Sequence, residues 1–181
     1  MKVIILSSSP RRKGNSEILC EQFAKGAKEA GHEVEMVNLN DYHMGFCLAC
    51  EYCRYHNHVC VLKDDANQII EKIIEADVFV MATPVYFYSL SGQLKTLIDR
   101  MFAREYEIRD SEKHKKAYLI LTSGSPDVKQ MTGIVESFRG FIQVLRKVEE
   151  GGIIYGLGAF HKGDALEHPA YKEAYEMGKK I

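Results

Sequence analysis

Val3-Ile4-Ile5-Leu6-Ser7-Ser8-Ser9-Pro10-Arg11-Arg12-Lys13-Gly14-Asn15-Ser16 is the stretch that decides the fold. A compact apolar run of four residues is too short for a helix and fits a strand buried on both faces. It passes into a polar loop, and then into Ile18, Leu19, Phe23, Ala27 and Ala30 at helical spacing, with Gly31 as the stop. Strand, polar loop and helix in that order open a parallel α/β unit. The same alternation repeats outward. Strand signals recur at Val34, Met36, Val37 and Leu39, at Val78–Met81, at Tyr118–Leu121 and at Ile153–Tyr155. Between them Ile69, Ile70, Ile73 and Ile74, then Leu94, Leu97, Ile98, Met101 and Phe102, then Val135, Phe138, Ile142 and Leu145 carry helical spacing, and Ala170–Lys180 closes the chain as a helix. Five strands alternating with helices predict an α/β fold with a five-stranded parallel sheet covered on both faces, doubly wound in order 2-1-3-4-5.

The 181 residues suit one domain, and no linker or repeat divides them. With 24 basic and 25 acidic residues the net charge is −1, which leaves no electrostatic footprint for nucleic acid or an anionic membrane. No apolar run approaches the roughly 18 residues needed to cross a bilayer, and no export signal is visible at the N-terminus. The expected compartment is therefore the reducing cytoplasm, where the five cysteines are thiols or ligands rather than disulfides.

In such a sheet, ligands bind beyond the carboxyl ends of the strands at the switch point. The first loop there offers hydroxyls, Gly14, the cations Arg11, Arg12 and Lys13, and a helix start that Asn15 or Ser16 would cap, a setting suited to phosphate. An ordinary polar turn is the competing reading. No Walker A loop occurs, and Gly156-Leu157-Gly158-Ala159-Phe160-His161 lacks the third glycine of a dinucleotide fingerprint. The loop after the third strand, Thr83 to Gly92, carries Pro84, Tyr86, Phe87 and Tyr88, which suit a planar ring or simply pack under a helix. Thr122-Ser123-Gly124 follows the fourth strand with small residues that admit a ligand edge. Asp99 and Arg100 read as a local or interface ion pair, Glu112 to Lys116 as a solvated loop, and Cys20 as a buried structural thiol.

Ser9-Pro10-Arg11 with Gly14-Asn15-Ser16, Asp64-Asp65, Ala76-Asp77, Thr83-Pro84-Val85-Tyr86, and Lys95 with Ile98-Asp99-Arg100 together resemble the NAD(P)H-dependent FMN reductase and iron–sulfur flavoprotein family of the flavodoxin-like superfamily. The resemblance implies a flavodoxin-like three-layer sandwich and a single FMN-binding domain over residues 1–181. It implies that Ser9, Arg11, Asn15 and Ser16 hold the FMN phosphate. Pro84, Val85, Tyr86 and Phe87 would line the isoalloxazine, with Ser123 and Gly124 on its other edge. The flavin then carries the chemistry, and no catalytic side chain is assigned.

Cys47-x2-Cys50-x2-Cys53-x6-Cys60 is the sharpest local motif. Thiolates so closely spaced can enclose a [4Fe–4S] cluster, His56 and His58 also admit zinc with mixed ligands, and free thiols are the third reading. The leading expectation is an oxidoreductase moving electrons from NAD(P)H to a flavin, quinone or other small acceptor. The alternatives are an FMN and [4Fe–4S] protein served by a ferredoxin-like donor, and a flavodoxin-fold binding module without turnover. A homodimer or homotetramer is implied by the family resemblance.

Overall fold

The computed structural model describes every residue, Met1–Ile181. Its sheet runs β2-β1-β3-β4-β5 with all neighbours parallel, the doubly wound order expected from the sequence. The strands are β1 (Lys2–Ser7), β2 (Glu33–Asn38), β3 (Val78–Pro84), β4 (Lys115–Ser123) and β5 (Val148–Leu157). The helices are α1 (Asn15–Glu29), α2 (Tyr52–Tyr55), α3 (Ala66–Glu75), α4 (Gly92–Arg100), α5 (Tyr106–Arg109), α6 (Thr132–Val144) and α7 (Pro169–Lys179). None is long and apolar enough to cross a membrane.

The unbroken apolar strands follow from burial on two sides. Alternate side chains leave a strand on opposite faces. Ile4 and Leu6 of β1 join Phe79 and Met81 of β3 and Leu119 and Leu121 of β4 under α3, α4 and α6. Val3 and Ile5 join Val78, Val80 and Ile120 under α1 and α7. In the second layer α1 and α7 touch through their backbones. A Cβ on Gly26 would lie 2.1 Å from Tyr175 O, and one on Gly178 would lie 2.1 Å from Phe23 O. Glycine at both places lets the two helices share one face of the sheet.

Several expectations need correction. Leu39 lies past the end of β2, in a 3-10 turn over Leu39–Asp41, where its side chain still reaches the core. Two short helices that carry no periodic signal in the sequence, α2 and α5, lie within the connections 40–63 and 103–116. The run Glu112 to Lys116 is not a solvated loop throughout. Lys115 opens β4 and is 3% exposed, and its ammonium donates to Ile74 O at 2.6 Å and to Ala76 O. Burial pulls the amine's pKa down, with Asp77 opposing and Lys113 assisting. The carbonyls at the end of α3 give it partners that no neighbour in sequence could. Gly31 ends α1 as expected: at φ +86° it directs Gly31 N–H to Lys28 O and His32 N–H to Ala27 O. Cys20 is fully buried, as anticipated.

Candidate functional site

Because all five strands are parallel, the loops after β1, β3, β4 and β5 emerge at one edge of the sheet. There they enclose a cavity of about 220 Å³. Its walls include Ser9, Arg11, Asn15, Ser16, Pro84, Val85, Tyr86, Ser123 and Gly124, so nine of the ten residues expected to hold a cofactor come together. Phe87 is the exception: it is fully exposed and does not reach the cavity.

Buried hydroxyls fix the first two loops against each other. Ser8 Oγ donates to Ala82 O at 2.8 Å and accepts from Ser91 Oγ at 2.8 Å, while Ser91 caps α4 at Leu94 N–H. Ser16 Oγ and Thr122 Oγ1, 2.6 Å apart, link α1 to the end of β4. The β3 loop turns back sharply, with Tyr86 and Ser89 exchanging N–H···O bonds of 3.2 and 3.0 Å. That turn holds Phe87 at φ 48° and Tyr88 at φ 58°, a left-handed conformation disfavoured for side chains of this bulk. It aims Phe87 into solvent.

The α1 start differs from expectation in one respect. Gly14 is the N-cap and has no side chain to bond with, so neither Asn15 nor Ser16 caps the helix. The first helical bond runs from Ile18 N–H to Gly14 O, which leaves the preceding N–H groups directed at the cavity end of the helix. Asn15 instead spends its carboxamide on the loop after β5. Its Nδ2 donates to Ala159 O at 3.1 Å and His161 O at 2.8 Å, and its Oδ1 accepts from Gly163 N–H at 3.0 Å and Ala165 N–H at 3.2 Å.

That loop supplies a wall that the sequence reading missed, Ala159, Phe160 and Lys162. The Phe160 ring rests against Gly124, where an added Cβ would fall 2.7 Å from Phe160 Cδ2. The signal was present, since these residues also follow a carboxyl strand end. No carboxylate lines the cavity. Its cationic side chains are Arg11 and Lys162, neither of them in an ion pair, whereas Arg12 points away to Asp41. A helix start, hydroxyls and unpaired cations without acidic neighbours form a setting for an anion.

The cysteine segment lies elsewhere. Cys47, Cys50, Cys53 and Cys60 line an apolar groove of about 830 Å³ with Leu48, Ile98, Met101, Phe102, Phe141 and Val144. Four thiols are a donor set suited to an iron–sulfur cluster. In this conformation, however, no three Cys, His, Asp or Glu side chains are arranged to hold a metal ion. The base of the segment is clamped by Arg100. This residue is 2% exposed overall and grips Asp64 with two bonds of 2.6 and 2.9 Å, adding a third to Gly45 O at 2.9 Å. Asp64 in turn accepts from Gly45 N–H at 2.8 Å and Ala66 N–H at 3.2 Å. Burial works to raise the Asp64 pKa, but Arg100 and those two N–H groups outweigh it and hold the carboxyl below its usual range. The Asp99–Arg100 pair expected from sequence does not form, because Asp99 pairs with Lys95 one helical turn back.

Comparison with known proteins agrees with this geometry. Over 100 residues the chain is 39% identical to an iron–sulfur flavoprotein of Methanocaldococcus jannaschii, an alignment covering 55% of this chain and 51% of that one. The chain thus spans about half the length of that relative. It is 26% identical over 163 residues to an NAD(P)H-dependent FAD/FMN reductase of Geobacillus thermodenitrificans, covering 86% and 78% of the two chains. Among solved structures, the NAD(P)H:quinone oxidoreductase of Methanothermobacter marburgensis superposes with a TM-score of 0.73 at 24% identity over 99% and 95% of the chains, a likeness of fold. The sequence pattern of one family matches residues 1–150, five-sixths of the chain, and with the sheet order and the strand-end cavity it makes this protein a member of the NADPH-dependent FMN reductase family.

Proposed function

We propose that residues 1–181 form one FMN-binding unit that takes electrons from NAD(P)H and passes them to a small acceptor such as a flavin or quinone. The observation that carries this reading is the carboxylate-free cavity at the strand ends, with Arg11, Lys162 and the start of α1 facing it. At about 220 Å³ it is smaller than the roughly 300–1,000 Å³ of a site that engulfs a ligand whole. It suits the phosphate and sugar-alcohol end of FMN, with the ring lying along the open rim.

Each wall then has a task. Ser9, Arg11 and the N–H groups at the start of α1 bind the phosphate. Asn15 and Ser16 serve that end chiefly through their backbone. Pro84, Val85 and Tyr86 hold one edge of the isoalloxazine, and Ser123 and Gly124 hold the other. Bound FMN supplies hydride acceptance and the onward transfer of electrons. The protein's part is to orient the ring and leave one face open to donor and acceptor in turn.

Anaerobic absorbance tests this directly. Protein mixed with FMN and freed of excess should retain a two-banded flavin spectrum that bleaches on adding NADPH. Protein that stays colourless overturns the flavin reading, and bound flavin that no pyridine nucleotide bleaches overturns the choice of donor. A second reading, a cluster-bearing electron carrier, is supported by the spacing of the four cysteines and by the name of the archaeal relative. Iron and sulfide in stoichiometric amount, lost in Cys53→Ser, would favour it; their absence after anaerobic purification would remove it.

A further inference from the structure

We propose that the segment Ala159–Ala165 is a working wall of the phosphate site, that Lys162 places its ammonium against the ligand's phosphate, and that Asn15 is the positioning residue that holds this wall in place. The proposal rests on the FMN reading and extends it to residues beyond the part of the chain that the family pattern matches, which ends at residue 150.

The argument begins with what a carboxamide can do. It has two N–H donors and one oxygen able to accept twice. Asn15 uses all four capacities on the backbone of one segment: Ala159 O, His161 O, Gly163 N–H and Ala165 N–H. Nothing on the side chain remains for a ligand. An asparagine in a loop that faces an anion would ordinarily be read as a ligand contact. Here it is a clasp.

The clasp fixes what the segment presents. Between its bonded positions lie Phe160 and Lys162, both on the cavity wall. The segment is also braced from within, since Asp164 accepts from His161 N–H at 2.7 Å. Phe160 rests on Gly124 of the β4 loop, so the wall is tied to both α1 and β4. Lys162 makes no ion pair, and the cavity holds no carboxylate to neutralise it. An unpaired ammonium on the rim of a site that already offers Arg11 and a helix start is placed for a dianionic phosphate.

FMN and riboflavin differ only in that phosphate, so paired affinities isolate it. Lys162→Met should weaken FMN binding about tenfold, leave riboflavin within twofold of wild type, and flatten the dependence of FMN affinity on salt. Asn15→Ala should weaken FMN at least as much, and adding Lys162→Met to it should cost less than a further twofold, because the ammonium is already displaced. Lys162 is exposed, so its variant is expected to fold normally even if the Asn15 variant does not. A Lys162→Met change of under twofold, or an equal loss for both flavins, overturns the proposal while leaving the FMN reading intact. Wild-type protein that binds neither flavin overturns both.

Discussion

Removing the Asp64 carboxylate tests the clamp at the base of the cysteine segment. Asp64→Ala leaves the Arg100 guanidinium, its side chain 1% exposed, without a counter-charge and with only Gly45 O as partner. Breaking a buried pair from one side costs about 3–5 kcal/mol. For a chain of this length, that corresponds to a fall in Tm of roughly 6–20 °C at about 2–4 °C per kcal/mol. Urea unfolding with a constant m-value is the assay. Asp64→Ala combined with Arg100→Met should cost less than the sum of the two single variants, since the double variant strands no buried charge. The pH dependence has a defined sign. The folded Asp64 pKa is depressed, so its contribution is complete above the usual carboxylate value of about 3.9 and fades as pH falls through the depressed value. The gap between wild type and Asp64→Ala should narrow below about pH 4 for the same reason. Limited proteolysis between residues 46 and 63 should also quicken, because Gly45 and Asp64 close that segment at its base. A loss under about 1 kcal/mol, or strict additivity in the double variant, would refute the reasoning.

Phe87→Gly should raise stability by about 1 kcal/mol in chemical denaturation, since glycine adopts the left-handed backbone that Phe87 occupies at a cost. FMN affinity should change little in the same variant, as Phe87 does not line the cavity; a large loss would show that the turn bends inward when ligand binds. Gly178→Ala sets a methyl against Phe23 O and should cost about 1–3 kcal/mol by overpacking, read as a lower urea midpoint. An unchanged midpoint would mean that α7 can draw back from α1 without penalty.

The β1 stretch was legible because burial on both faces leaves an unbroken apolar run, and α1 because helical periodicity and Gly31 each mark it. The gathering of nine candidate residues around one cavity was legible because parallel topology sends strand ends to one edge. The side-chain partners of Asn15, Ala159 to Ala165, were not legible, since they lie far along the chain and hydrogen bonds across that distance leave no spacing to read. Arg100 was misjudged for a related reason. A neighbouring Asp99 suggests a pair locally, but on a helix adjacent residues face different ways, and the buried side of α4 looks toward Asp64. Lys115 looked solvated among charged neighbours, and only the fold shows that α3 ends above it.

The glycine seam between α1 and α7 bears on how the molecule comes into being. Synthesis runs from the amino end, so α1 and the strands it covers are made long before α7. Until α7 arrives, the groove around Gly26 stays open and apolar side chains on that side of the sheet, such as Phe23 and Tyr118, lack part of their cover. Contacts between distant parts of a chain form late and slowly, and surface left bare in the interval invites association with other chains. The nascent protein is therefore most vulnerable to aggregation just before α7 docks, and a chaperone that shields the α1 face would do most good there.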